Sequence, residues 1–467
     1  MSAATPITAE QLLAIADGAL AAAGEPEVEI VAQTARRGFA RFAMGELGQH
    51  MSLTEPLVRV RVARGARVAQ ASTNGLDQDA LVGAIRAAAK AAVEVPEIEG
   101  FTGFTGEGEP VGARPPRFAA RTVATDAEAR ADRLRTVLGA IAKAGLVSAG
   151  ALETRVTSLA IATTRGRRLS HDGTAAHFKV WALETPGAGG AAGYGGQSHR
   201  DVDALDLDGE TARAIRLCQM GKNPTTLDAG TYDVVMEPPA VSELVEWLSS
   251  IAFGANEVEQ GTSALRGRMG ELITGDGISL IEDPLDDGPH GLATPFDREG
   301  VWRRRVPLIE RGVARGVLHD RASAARMGAR STGSALVTEG GGASVGACAI
   351  HLEPGHAASV DELIAGVDRG LYVCRLHYVN GMLDPRRAVM TGLTRDGCFL
   401  IEKGKIARPV GNMRFTDSFL EGLARVDGMT RGRTAVPTWW SDAGATVVPA
   451  IRMRGFRWNG KSQERLG

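Results

Sequence analysis

Four residues near one another in the chain, His351, His356, Cys374 and His377, carry side chains that bind metals or move protons. His351 and His356 sit in HLEPGH, where Pro354-Gly355 breaks any helix, so the two imidazoles gain no common face. In a strand of period two, Cys374 and His377 point to opposite sides. A metal site needs three or four converging ligands, so these positions read better as structural or rim residues. Gly342-Ala343-Ser344-Val345-Gly346 has the spacing of a nucleophile elbow, which requires a strand before the serine and a helix directly after it. Here a glycine loop precedes the serine and the strand-like ACAIHLE follows, so a flexible loop is expected. The acidic run from Glu282 to Asp287 lacks the spaced ligands and closing glutamate of a calcium loop, and reads as a solvated acidic turn. No glycine pattern that cradles a phosphate is present.

The elements that would have to position these residues are legible in outline. Thr8-Ala9-Glu10-Gln11 is a capping box, followed by Leu12, Leu13, Ala16 and Leu20 at helical spacing up to Gly24. LVRVRVA at 57–63 alternates apolar and charged residues, turns at Arg64-Gly65-Ala66 and returns as RVAQAST, a hairpin with one wet face. Helices are expected over 76–93 and 126–144, with antiparallel strands at 156–163 and 176–183 joined through Arg165-Gly166-Arg167. Residues 186–197, PGAGGAAGYGGQ, have little side-chain bulk and read as a flexible loop. A helix over 208–220 follows. Gly221-Lys222-Asn223-Pro224 then breaks the chain before a strand at 230–236 and a helix carrying Val241, Leu244, Val245, Leu248 and Ala252 on one face. Short strands and glycine turns fill the remainder. The expected fold class is α+β, with an N-terminal domain over 1–222 of antiparallel strands and helices. A mostly-β, barrel-like domain occupies 223–467.

Composition narrows the function classes. The 467 residues hold 53 Lys and Arg against 55 Asp and Glu, a net charge of -2 that offers no general attraction to nucleic acid or anionic lipid. No apolar run is long enough to span a bilayer, and MSAATPITAEQ lacks the basic and apolar regions of a signal peptide, so a cytoplasmic location is expected. Four scattered cysteines form no C-x-x-C pair and read as reduced thiols. Glycine, at 59 residues, is about twice its usual share of roughly 7%, so close backbone approaches are expected.

Several segments of the second half together resemble the TldD/PmbA family, also called the modulator-of-gyrase family. They are VVMEPPAVSELVEWL, GTSALRGRMGELI, DDGPHGLATPFDREGV, LIERGVARGVLHDRASAARMGARSTGS, LEPGHAASVDELIAGVDRGLYV and FLIEKGKIARPVGNMRFTDSFLEGL. The hairpin and helix of 57–93, with its TNGLD segment, resemble the family's N-terminal domain more loosely. The resemblance implies a pair of related chains forming a heterodimeric protease for small or unfolded peptides. In that pair the TldD-like chain carries zinc on a His-Glu-x-x-x-His helix completed by a cysteine near its C-terminus. Counting back from Gly261-Thr262-Ser263, the window falls on Glu246-Trp247-Leu248-Ser249-Ser250-Ile251, so both histidines are replaced. The cysteine position falls at Trp439-Trp440-Ser441-Asp442, and no cysteine follows Cys398. Glutamate and isoleucine do not replace two imidazoles.

The resemblance therefore implies a non-metal, TldE/PmbA-like subunit that completes the peptide chamber for a zinc-bearing TldD-like partner. No cofactor belongs to this chain, and a homodimer is expected where no partner is present. Residues 246–251 contain no glycine to loosen the helix, and Glu246 and Ser249 are expected to face solvent beside the packed stripe of Val245, Leu248 and Ala252. Arg330, Ser331, Thr332 and Gly333 in the matched ARSTG segment are candidates for the chamber wall or dimer contact, with a buried structural network as the alternative. Gly341 and Gly342, on a glycine-rich edge, are candidates for peptide strand addition, and His377 is a further candidate. Two other functional readings stand beside this one. The first is an independent hydrolase with a relocated site at His351, His356, Cys374 and His377; the second is a non-catalytic binding or scaffold protein.

Overall fold

A computed structural model describes residues 7–185, 190–337, 343–437 and 445–461. The chain is α+β, and its described residues build two large sheets and a small two-stranded one. Helix α1 (Ala9–Ala23) starts on the capping box: Thr8 Oγ1 accepts from Gln11 N, and the Gln11 side chain accepts from Thr8 N. Strands β1 (Val28–Ala43), β2 (Glu46–Arg64), β3 (Arg67–Thr73), β4 (Val147–Thr163), β5 (Arg168–Leu183) and β6 (Ala192–His199) form an antiparallel sheet in the order β3-β2-β1-β4-β5-β6. One face of it is apolar and covered. Ile30, Val58, Val60 and Val62 pack against α1 and helix α2 (Gln78–Ala91). Further along, Ala176, Phe178 and Val180 meet apolar residues of helices α4 (Ala127–Lys143) and α5 (Leu207–Met220), beyond the short α3 (Ala120–Ala124). Alternation sends the other residues of each strand to the opposite face, toward the second half of the chain.

The long strand β1 is absent from the sequence-based reading because Arg36, Arg37 and Gly38 interrupt its apolar alternation. The structure supplies the reason. Arg130 of α4 is buried with its guanidinium over Gly38, where an added Cβ would lie 2.4 Å from Nη1. It donates to Thr125 O at 3.0 Å and Thr154 Oγ1 at 3.2 Å. The expected loop at 186–197 needs correction too: residues 192–197 are paired strand in β6, while 186–189 lie outside the described residues. The glycines there serve packing rather than freedom. A Cβ on Gly193 would lie 2.0 Å from Ala214 O and one on Gly195 2.3 Å from Glu210 O, so α5 sits directly on their backbone.

Strand β7 (Gly230–Met236) opens the second sheet, followed by helix α6 (Pro238–Ala252). Strands Arg369–Asp384, Val389–Glu402, Met413–Ser418 and Thr446–Lys461 complete a ring with β7, since the last strand pairs both with Met413–Ser418 and back onto β7. The C-terminal half is thus barrel-like, as expected. Alternate residues divide between two cores: Val234, Met236, Leu371 and Val373 join the large core with α6, while Val235, Tyr372 and Cys374 face a smaller one. All four cysteines are free and buried. No described helix is long and apolar enough to cross a membrane.

Candidate functional site

Helix α6 carries residues 246–251, the window in which the resemblance implies a metal site. Its stripe of Val241, Leu244, Val245, Leu248 and Ala252 is fully buried in the large core, and Ile251 joins them at 4% exposure. Trp247 lies over the backbone of Gly381, where an added Cβ would come within 2.8 Å of the indole. Ser249 is half-buried. Glu246 departs from expectation. It does not stand in solvent but turns into the seam between the two sheets, accepting from Thr446 Oγ1 at 3.0 Å. The reason lies outside the helix, because strands distant in sequence close over that face.

The seam is polar and charged. From the N-terminal sheet, β5 contributes His177, Lys179 and Trp181 on one face by simple alternation, with Glu153 of β4 opposite His177. From the C-terminal half come Glu243 and Glu246 of α6, Arg375, Asp396 and Thr446. Arg375 and Asp396 form a buried ion pair, and Trp181 Nε1 donates to Asp396 at 3.0 Å. The Arg375 guanidinium also lies against two rings that touch each other, 5.6 Å from the Trp181 centroid and 5.1 Å from that of Tyr194. Burial pushes the Glu246 carboxyl up to about 8, and the neighbouring Glu243 adds to this, against Thr446 and Lys179. Lys179 moves the other way: burial and Arg375 lower it, while Glu153, Glu246 and Glu243 hold it up. A carboxyl and an amine driven toward one another in this way can share protons.

A zinc ion does not fit the family window here. Zinc bound there would need side chains converging from 246 and 251, which lie about 140° apart around an α-helix. Glu246 enters the seam while Ile251 enters the core. Position 251 is therefore committed to packing. The stretch Trp439-Trp440-Ser441-Asp442 lies outside the described residues.

The other sequence candidates do not come together. His351 is buried between Ile281 and Val447 in the sheet, and burial lowers its ring to about 4. His356 is exposed, Cys374 is buried in the smaller core, and His377 is half-buried with its ring 4.1 Å from that of Tyr378. Arg330 is exposed and its carbonyl accepts from Arg304 at 2.8 Å. Ser331 and Thr332 bond the backbone of His319, and Gly333, at φ 70°, presents its carbonyl to Arg303. Gly341 and Gly342 lie outside the described residues. Ser344 of the elbow-like motif sits in a two-stranded hairpin with Leu336 rather than at a strand-to-helix turn. Glu282 corrects the reading of its run as a solvated turn: it is 1% exposed and accepts from the backbone of Cys348 and Ala349. The seam residues Lys179, Glu243, Arg375 and Asp396 were missed. Their one signal was the alternation His177, Lys179, Trp181, a polar strand face long enough to need a partner.

Residues 229–460 match the family described as the PmbA/TldA metallopeptidase C-terminal domain. A metalloprotease of Methanothermobacter thermautotrophicus is 30% identical over 52% of this chain and 51% of its own length. The metalloprotease TldD homolog of Haemophilus influenzae is 24% identical over 51% of this chain and 50% of its own. The chain thus spans about half the length of these curated relatives. The crystal structure of TldE from Thermococcus kodakarensis superposes with a TM-score of 0.86 at 21% identity, covering 97% of this chain and 99% of that one, so the whole fold is shared.

Proposed function

Because this chain belongs to the metalloprotease-related TldD/PmbA family, we propose that it is the non-metal subunit of a two-chain peptidase, paired with a zinc-bearing TldD-like chain. One observation carries this reading: at the family's metal window the helix turns Ile251 into the core and Glu246 into a charged seam, so both positions have other work. Conserving the framework while redirecting that helix makes sense for a chain whose task is assembly and peptide binding. The seam residues hold the two sheets in register through Arg375, Asp396 and Trp181, and thereby shape the wall this subunit presents. Small or unfolded peptides are the substrate class on this reading, and the site of action is the cytoplasm.

The test is co-expression with a TldD-like chain from the same organism, followed by size analysis and cleavage of an unstructured peptide. A stable mixed dimer that cleaves, with neither chain cleaving alone, is expected. Separate migration of the two chains at micromolar concentration, or hydrolysis by this chain alone, would refute it.

A further inference from the structure

A second feature lies at the opposite end of the N-terminal sheet, roughly 40 Å from the seam at about 3.3 Å per residue along the strands. There β1 and β2 place Glu29 opposite Arg61 and Val31 opposite Arg59, on the face turned toward the C-terminal half. Arg298, Glu299, Asp320, Ala335 and Leu336 close over them and leave a cavity of about 180 Å³, open on one side. Each acid around it has at least one oxygen engaged. Glu29 Oε1 accepts from Arg61 at 2.7 Å, Glu299 accepts from Arg321 N at 2.9 Å, and Asp320 caps a helix through Ser323. Asp297, beside Arg298 in the chain, accepts from the backbone of Glu299, Val301 and Ala335.

Two lining cations are left over. Among the described residues, no hydrogen bond or ion pair reaches the guanidinium of Arg59 or of Arg298, and the two repel each other across the cavity. Burial lowers Arg298 to about 10, with Arg303 and Arg59 adding to the effect. An enclosed guanidinium without an acceptor costs stability, and two facing one space are the arrangement that an oxyanion relieves. Glu29 adds a complementary demand, since its Oε2 is buried with no donor. Apart from Gln70, the rest of the wall is apolar, with Val31, Val68, Ala69, Ile98, Ala335 and Leu336.

We propose that this cavity binds an α-amino-acyl carboxylate with a small apolar side chain. The carboxylate would lie between Arg59 and Arg298, the nitrogen would donate toward Glu29, and the side chain would rest on Val31 and Leu336. The space suits a molecule of about eight heavy atoms, since a cavity of about 150 Å³ accommodates benzene. A free amino acid and the C-terminal residue of a peptide share this chemistry. The inference stands independently of the peptidase reading, because no residue of the seam takes part.

Calorimetric titration of the full chain with L-valine, N-acetyl-L-valine and L-valinamide at constant ionic strength tests it. Saturable binding of valine or of N-acetylvaline is expected, the first marking a free amino acid as the source and the second a peptide terminus. Valinamide should bind roughly tenfold or more weakly, as should valine or N-acetylvaline to Arg298→Met or Arg59→Gln, each change removing a charge-assisted contact. Ligand-free Arg298→Met should also melt above the wild type, because it removes a buried charge without a partner. No saturable binding of either acid up to about 10 mM, equal binding of valinamide, or a lower melting point for ligand-free Arg298→Met would overturn the proposal. Arg59→Gln, on the less enclosed arginine, gives a second reading of affinity.

Discussion

Replacing Glu246 by glutamine isolates the charge state of the seam. In the folded chain its carboxyl is held at about 8, against an ordinary 4.5. Between those values the folded state keeps a proton that the unfolded state has released, so this group's contribution falls as pH rises from about 4.5 and is fully unfavourable above about 8. The full difference would oppose folding by up to about 5 kcal/mol at about pH 9. Glu246 keeps partial solvent contact, and Lys179, Glu243, Glu153 and Arg375 can adjust around it, so about 2 kcal/mol is expected instead. Glutamine is neutral throughout and keeps an oxygen to accept from Thr446. Urea unfolding of wild type and Glu246→Gln should give a variant more stable by about 2 kcal/mol at about pH 9, with the gap closing toward about pH 5. Comparing the two chains removes contributions from other carboxyls raised to about 8, such as Glu237 and Glu299. A gap of constant size across that range, or a wild type more stable at high pH, would refute the reasoning.

Gly193→Ala should cost about 1–3 kcal/mol in urea unfolding, because α5 rests on that backbone; an unchanged midpoint would mean that the strand is not packed there. Arg375→Met should cost about 3 kcal/mol by leaving Asp396 buried without its cation, whereas a neutral result in thermal melts would place the pair in solvent. The triple change Glu246→His, Trp247→Glu and Ile251→His should yield neither zinc binding by elemental analysis nor peptidase activity. It should also lose about 2 kcal/mol or more, since Ile251 lies in the core and a buried imidazole there needs a partner.

What the sequence made legible was local and periodic. The capping box at Thr8 and the 57–73 hairpin follow from short-range rules, and the structure has both. The β1 strand was hidden because its apolar rhythm is broken where Arg130, from a helix far along the chain, takes the place of core side chains. Glycines at 193 and 195 looked like looseness when helix α5 rests directly on their backbone, a distinction that depends on a partner element rather than on composition. That Glu246 and Ile251 stand where the resemblance implies two histidines was readable by residue type. Where Glu246 goes was not, because the groups that enclose it come from β5, a distant barrel strand and its own helix, separated by up to 200 positions.

Native mass spectrometry of the co-purified pair tests the central claim most directly. A mixed dimer holding one zinc ion is predicted, with the metal leaving on the TldD-like chain when the two are separated in the gas phase. Zinc that travels with this chain, at about one ion per molecule and removable only by a chelator, would contradict it.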